Sequence, residues 1–216
     1  MSLANKVLNQ CRKPSGRFGR LNLWHMNRRH SELTDWGLKH ISIQNHETIL
    51  DVGCGGGRTV HKLAAIASEG QIYGIDHSEE SVAASRRRNR QWIEKGQVEI
   101  QHGVVSHLPF ADRMFDLATA VETHYYWPDL PADMREVLRV LKPGGTLIII
   151  AEAYKGGKHD ERLKVLVEAM KTADYAYAHL SVDELREFFA EAGYSDVQVF
   201  EDYDKGWICG MGRKPS

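Results

Sequence analysis

Glycines and an aspartate cluster directly after the first strand-like run, Thr48–Val52, in a pattern that could bring main chain against a ligand. Residues 51–57 read D-x-G-x-G-x-G. Glycine lets a ligand approach the backbone without a clash with a Cβ atom. The dinucleotide fingerprint G-x-G-x-x-G does not match, because its third glycine falls on Arg58 or on Val60. The P-loop pattern does not match either, since no Gly-Lys-Ser/Thr follows.

Two further segments extend this pattern toward the C-terminal half. Residues 103–110 precede the pair Phe115-Asp116, and residues 138–145 read L-R-V-L-K-P-G-G before an apolar run. With the glycine loop, these motifs resemble those of the class I S-adenosylmethionine-dependent methyltransferases, in particular the small-molecule group called methyltransferase type 11. The resemblance covers residues 48–151. It implies S-adenosyl-L-methionine as the cofactor and S-adenosyl-L-homocysteine as its product.

The resemblance also implies how that cofactor is held. Asp51 meets the ammonium group, the glycines follow the methionine portion, and the helix N-terminus beyond them favours the carboxylate. Asp76 ends the second strand, where an acid accepts the ribose hydroxyls, although NAD enzymes use the same device. His77 either packs on the adenine or lies at the surface. Many family members have Asp at position 104, so here main-chain groups near Val104 are expected to contact the ring. The expected cofactor-binding residues are Asp51, Gly53, Cys54, Gly55, Asp76, His77, Val104, Val105 and Val121.

The segment E-T-H-Y-Y-W-P over residues 122–128 lies where the acceptor should meet the methyl group. A general base is needed only if the acceptor must lose a proton. Glu122 and His124 are possible bases, and the aromatic face of Tyr125 could hold a cation or simply pack the domain. Related enzymes often carry His-His at positions 125 and 126, so a histidine base cannot be carried over. The candidate catalytic residues are Glu122, His124 and Tyr125.

Short β-branched runs alternate with helical patterns along the chain, which indicates βαβ units and a parallel sheet. We expect a single α/β domain with a doubly wound, mostly parallel, seven-stranded Rossmann-like sheet and an N-terminal helical segment. The predicted strands are 48–52, 71–76, 98–102, 115–121, 146–151, 197–200 and 207–210. The predicted helices include 59–67, one from Ser78 to near Gly96, 132–141, and one that opens on a capping box at 181–184. Residues 142–145 are expected to break the chain. Within the domain, 1–45 would form an arm or lid, 46–151 the cofactor-binding core, and 152–216 a substrate-side insertion and the last strands.

Composition and missing motifs bear on the acceptor. The net charge is -1 and the pI is about 6.8, whereas dedicated nucleic-acid binders usually show a basic excess. The motifs typical of nucleic-acid amino methyltransferases, of pyrimidine carbon methylation and of protein arginine methylation are missing. A small-molecule acceptor is therefore expected. An RNA or protein acceptor, a nicotinamide oxidoreductase, and a noncatalytic cofactor-binding partner subunit stay open as alternatives.

The remaining expectations concern metals, location and assembly. The eleven histidines form no convincing ligand set, so no metal is expected. Three widely spaced cysteines suit a reducing compartment, and neither a signal peptide nor a membrane-spanning run is evident. The protein is therefore expected to be cytoplasmic. The sequence leaves the oligomeric state open, a homodimer included.

Overall fold

A computed structural model of the chain describes residues 30–152, 154–161, 164 and 178–216. The chain divides into two compact units, one that ends at Val104 and one that begins at Val105. The strands form a seven-stranded sheet in the order β3-β2-β1-β4-β5-β7-β6. Three of these strands belong to the first unit and four to the second. The predicted seven-stranded, mostly parallel α/β fold is confirmed. Among the helices of the described residues, none is long and apolar enough to cross a membrane.

The described residues of the first unit form three parallel strands and four helices. Strand β2 lies between β1 and β3, and both pairs run parallel. The elements are α1 (Ser31–Leu38), β1 (Thr48–Val52), α2 (Arg58–Ile66), β2 (Gln71–Asp76), α3 (Glu79–Arg88), α4 (Arg90–Glu94) and β3 (Val98–His102).

Helix α3 begins as its sequence predicts. The Ser78 hydroxyl accepts a hydrogen bond from Ser81 N at 3.3 Å, and two glutamates occupy the first turn, where acids suit the helix dipole. The predicted single helix from Ser78 to near Gly96 is wrong in one respect, since it divides at Asn89 into α3 and α4. The Asn89 side chain turns inward and donates to the main-chain carbonyls of Gly57 and Ser85. These hydrogen bonds are the physical reason for the break.

The second unit contains four strands and two helices that are described. Strand β4 runs parallel to β5, whereas β7 is antiparallel to both β5 and β6. A three-residue 3₁₀ turn covers His124–Tyr126. The elements are β4 (Phe115–Val121), α5 (Leu130–Val140), β5 (Leu141–Glu152), α6 (Val182–Glu191), β6 (Ser195–Asp202) and β7 (Trp207–Arg213).

The expected break at residues 142–145 is instead part of a strand. Helix α5 passes directly into β5, and the pairing with β4 shifts between Phe115 and Leu117, which leaves a bulge on the β5 side. A Cβ atom on Gly145 would lie within 3.1 Å of three main-chain oxygens, those of Lys142, Phe115 and Asp116. Glycine is therefore required at this bulge, and the K-P-G-G motif bends the strand without ending the sheet.

The capping box predicted at the start of α6 is confirmed. Ser181 and Glu184 form the reciprocal capping box, with Glu184 N donating to Ser181 Oγ at 3.2 Å and Ser181 N donating to Glu184 Oε2 at 2.8 Å. Gly193 follows the helix with a φ of 95°. The predicted N-terminal helical segment is confirmed for Ser31–Leu38, and residues 1–29 lie outside the described residues.

Candidate active site

The glycine loop after β1 is a tight turn fastened to the neighbouring strand. Gly53, Gly55 and Gly57 have φ values of 71°, 50° and 75°, in the left-handed region that favours glycine. The N–H groups of Gly53 and Cys54 both donate to the Ile75 carbonyl, at 2.8 and 3.0 Å. The turn is thereby held at the carboxyl end of β2, the end of a parallel sheet at which ligands bind in doubly wound folds.

One face of the turn has the shape that an approaching ligand requires. A Cβ atom built on Gly55 would have no protein neighbour nearer than Gly53 O, at 4.0 Å. A side chain there would therefore fill space beside the main chain instead of meeting protein. Asp51 lies at the end of β1 with its side chain buried. A buried acid beside the open face of Gly55 fits the ammonium and the methionine portion of S-adenosylmethionine.

The Asp76 carboxylate links the turn to the start of α3. Its Oδ2 accepts from Gly55 N and its Oδ1 from Ser78 N, both at 2.9 Å. Burial raises the pKa of the Asp76 carboxyl, and the hydrogen bonds from the N–H groups of Ser78 and Gly55 oppose that rise. An ionised carboxylate offers about four acceptor positions, so these two bonds and a third from the Ser81 side chain leave capacity for a ribose hydroxyl. His77 Nδ1 lies 3.7 Å from Asp76 Oδ1.

Residues at the C-terminal end of α3 support the turn. Arg88 Nε donates to Gly56 O at 2.9 Å, and Asn89 Nδ2 donates to Gly57 O at 3.0 Å. The Cys54 thiol lies 3.8 Å from Ser85 Oγ, and burial raises its pKa well above the ordinary value. Contact of Cys54 with a cofactor would accordingly come from its main chain.

Sequence reasoning missed this support. The run of arginines at 86–90 is most simply interpreted as a solvated helix face, yet Arg86 donates to Ile100 O at 2.6 and 3.1 Å and Arg88 donates to the glycine turn. The available signal was an asparagine, a residue of low helix propensity, in the middle of an otherwise helical pattern.

In the second unit, Glu122 is the centre of a compact polar group at the end of β4. It has a φ of 58°, unusual for a residue other than glycine. Its N–H donates to Ile150 O at 2.9 Å. Its Oε1 accepts from the Tyr125 hydroxyl at 2.6 Å and also from Glu152 N. Glu122 is therefore held in place by β5 on one side and by the 3₁₀ turn on the other. Residues with such backbone strain cluster at functional sites.

The side chains of His124 and Tyr125 lie next to each other. Both side chains are buried, and their rings lie 4.2 Å apart with tilted planes. Burial lowers the pKa of His124 to about 3, so the ring is a weak proton acceptor, and it is secluded from solvent. This argues against His124 as a general base. Tyr125 presents its hydroxyl to Glu122, and Glu152 O lies 3.1 Å from the same hydroxyl.

The loop expected to approach the adenine is braced by α5. Arg139 donates to Leu108 O at 3.2 Å and to Phe110 O at 2.9 Å, and Glu136 accepts from Leu108 N at 2.9 Å. Hydrogen bonds to Glu136 and Asp112 raise the pKa of Arg139. The arginine of the R-V-L-K-P-G-G motif is thus an internal brace.

The three valines of the predicted site differ in exposure. The side chain of Val104 is about half exposed and that of Val105 is buried. Val121 is the last residue of β4 and pairs with Ile150 of β5.

The chain is similar to known methyltransferases in sequence and in fold. A family model described as a methyltransferase domain matches residues 50–149. Over 207 residues the chain is 28% identical to the demethylmenaquinone methyltransferase of Geobacillus kaustophilus, an alignment that covers 87% of each protein. It is 37% identical over 153 residues to the O-methyltransferase cnsE of Penicillium expansum, covering 71% of this chain and 54% of that protein. The fold resembles that of phosphoethanolamine N-methyltransferase 2 of Haemonchus contortus in complex with S-adenosyl-L-methionine, with a TM-score of 0.70, 18% identity, and coverage of 86% of this chain and 53% of that one.

Proposed function

The chain belongs to the class I S-adenosylmethionine-dependent methyltransferases, and from this premise we propose that it methylates a small-molecule acceptor. The observation that carries the proposal is the turn of Gly53, Gly55 and Gly57, whose backbone is held by Ile75 O and by the Asp76 carboxylate. This turn lacks the third glycine of a dinucleotide loop, and its acids suit an amino-acid tail and a ribose.

We propose that residues of the first unit bind and orient the cofactor. S-adenosylmethionine, when bound, supplies a methyl group on a positively charged sulfur together with its own leaving group. The Asp51 carboxylate pairs with the ammonium group, the main chain of Gly53 to Gly55 lies along the methionine portion, and Asp76 accepts from the ribose hydroxyls. His77, beside Asp76, borders the adenine, with the main chain of Val104 and Val105. Their common task is to fix the direction in which the methyl group points, because in-line transfer depends on alignment.

On the acceptor side we propose that Glu122 is the general base and that Tyr125 positions it. The 2.6 Å hydrogen bond from Tyr125 fixes the orientation of the carboxylate. A carboxylate in that position takes the proton from an O–H or N–H nucleophile as the methyl group is transferred. An acceptor whose nucleophilic atom carries a lone pair and has no proton to lose would not need a general base. Val121 precedes Glu122 and contributes main chain to the same region.

A small-molecule acceptor is supported by the chain's relatives and by its charge. The relatives include demethylmenaquinone methyltransferases and O-methyltransferases. The net charge of -1 provides no general attraction for polyanions. A hydroxylated aromatic or quinol acceptor, with an acidic O–H to lose, fits a carboxylate base best.

Calorimetry with the purified protein tests the cofactor part of the proposal. S-adenosylhomocysteine should bind with one-to-one stoichiometry, whereas NADH at the same concentration should give no heat of binding. Binding of NADH in place of S-adenosylhomocysteine would overturn the assignment in favour of an oxidoreductase.

Turnover tests the acceptor part. The protein is incubated with methyl-labelled S-adenosylmethionine and separate panels of phenols and quinols, amines, thiols, transfer RNA and a protein lysate. Label should enter the phenol and quinol panel. Label in the RNA or protein fraction would contradict the small-molecule assignment, and cofactor binding without label in any panel would favour a noncatalytic partner subunit.

We propose further that the protein works in a reducing compartment such as the cytoplasm. Both described cysteines, Cys54 and Cys209, are buried, and the burial raises the pKa of each thiol. Buried thiols of this kind behave as small apolar side chains. Titration of the native protein with a thiol reagent should leave both unreacted until the chain unfolds.

A further inference from the structure

We propose that Asn89 is a positioning residue for the cofactor. Its side chain contacts the glycine turn and sets the direction of a main-chain N–H group that meets the cofactor's carboxylate. The inference rests on the proposed function, since it takes the turn to be the methionine-binding element. Asn89 lies 32 residues beyond Gly57 in the sequence, at the junction of α3 and α4, and it belongs to none of the motifs that identify the family.

Two hydrogen bonds donated by its amide nitrogen fix the orientation of the Asn89 side chain. The residue is completely buried. Its amide nitrogen donates to Gly57 O and to Ser85 O, both at 3.0 Å. A side-chain amide has two N–H donors, so each is committed to one carbonyl. The bond to Ser85 O fixes the amide on α3, and the bond to Gly57 O transmits that position to the turn.

Gly57 is the residue through which this contact acts. It has a φ of 75° and is the N-cap of α2, and its carbonyl also accepts from His61 N at 3.1 Å. A Cβ atom on Gly57 would lie 2.4 Å from Ser85 Oγ and 2.5 Å from Asn89 Nδ2. The turn and α3 are therefore in direct contact, and only glycine fits between them.

Fixing the Gly57 carbonyl also fixes the N–H group on the other side of the same peptide unit. In a planar trans peptide the C=O and the following N–H point in opposite directions. That N–H belongs to Arg58, the first residue of α2, and the first N–H groups of a helix have no acceptor within the helix. With its carbonyl directed toward Asn89, this peptide unit directs the Arg58 N–H away from α3. Such N–H groups are the anion-binding groups of a helix N-terminus.

Gln97 provides a matched control. It is a buried side-chain amide of the same unit that donates to two main-chain carbonyls, Ala64 O in α2 and Ala67 O directly after it, both at 2.8 Å. It braces the C-terminal end of α2, whereas Asn89 braces the N-terminal end. Loss of either amide should cost comparable stability, but only Asn89 should affect the cofactor.

The test compares Asn89→Asp, Asn89→Ser and Gln97→Ala with wild type. Asn89→Asp keeps the shape and removes both donors, while Asn89→Ser keeps one donor and serves if the first variant does not fold. Each protein is measured for its thermal midpoint without ligand, and by calorimetry for its Kd toward S-adenosylhomocysteine and 5′-methylthioadenosine. The second ligand has the nucleoside and sulfur but no amino-acid tail, so it does not use the Arg58 N–H.

We expect the Asn89 variants to bind S-adenosylhomocysteine at least tenfold more weakly, about 1.4 kcal/mol, and methylthioadenosine within twofold of wild type. Gln97→Ala should lower the thermal midpoint and keep both affinities within twofold. Equal losses for both ligands, a matching loss in Gln97→Ala, or an unchanged Kd in the Asn89 variants would each overturn the role of Asn89. A wild-type protein that fails to bind S-adenosylhomocysteine would instead overturn the proposed function.

Discussion

Replacing Gly55 by alanine should separate the two costs of a side chain in the glycine turn. Gly55 has a φ of 50°, and a left-handed conformation costs a residue with a Cβ atom roughly 1–2 kcal/mol. No protein atom lies closer than 4.0 Å to the added carbon, so no steric clash adds to this conformational cost. For a chain of this length, 1 kcal/mol corresponds to a fall in Tm of about 2–4 °C.

The second cost of Gly55→Ala appears only with ligand. The added methyl group stands on the face of the turn along which the methionine portion is proposed to lie. We therefore expect the Kd for S-adenosylhomocysteine to rise at least tenfold, which corresponds to about 1.4 kcal/mol. Isothermal calorimetry and a thermal melt of the same preparation give both quantities.

Gly96→Ala is the control for Gly55→Ala. Gly96 has a φ of 74°, and a Cβ atom there would also meet nothing within 4 Å. It lies between α4 and β3, away from the turn, so it should show the same fall in Tm with an unchanged Kd. Equal affinities for the two variants would refute the reasoning, because the methyl group on Gly55 would then have met no ligand.

Three further predictions address the other candidate residues. Asp51→Ala should weaken S-adenosylhomocysteine binding at least tenfold by calorimetry because the ammonium group loses its partner; wild-type affinity in a folded variant would remove Asp51 from the site. Glu122→Gln keeps an oxygen that can accept from Tyr125 but loses the charge, so turnover should fall at least tenfold while the Kd for S-adenosylhomocysteine stays within twofold, and an unchanged rate would exclude Glu122 as the base. For His124, burial lowers the pKa from 6.5 to about 3, so below pH 6.5 the unfolded chain binds a proton that the folded chain does not, and stability is lost as the pH falls. Compared with His124→Phe, wild type should lose about 1.4 kcal/mol more per pH unit between pH 6 and 4 in urea unfolding; parallel curves would contradict the burial of this ring.

The sequence predicted the elements whose signals are local. The runs of β1 and β2, the cap at Ser78 and the box of Ser181 and Glu184 each depend on neighbouring residues, and each is confirmed. The glycine turn was also recognisable, because three glycines at alternate positions after a buried strand are unusual in an ordinary turn.

The remaining features depend on contacts between distant parts of the chain. Arg88 and Asn89 bind the turn across 32 residues of sequence, and no pattern around residue 89 indicates which carbonyls it will meet. The burial of His124 follows from the packing of the 3₁₀ turn, which residue type alone cannot indicate. The K-P-G-G segment has the composition of a turn, but the pairing of β4 with β5 overrides that local preference.

The bulge at Gly145 affects how inactive variants of this chain should be interpreted. Because three carbonyl oxygens surround the position of a Cβ atom there, any substitution must displace two adjacent strands. A screen that scores only product would rank such a variant with those of Glu122 or Asp51, although position 145 would be acting through folding. The K-P-G-G motif, which helps to identify the family, here serves the fold. Measuring the soluble yield would distinguish a variant at position 145 from variants of the residues that perform the reaction.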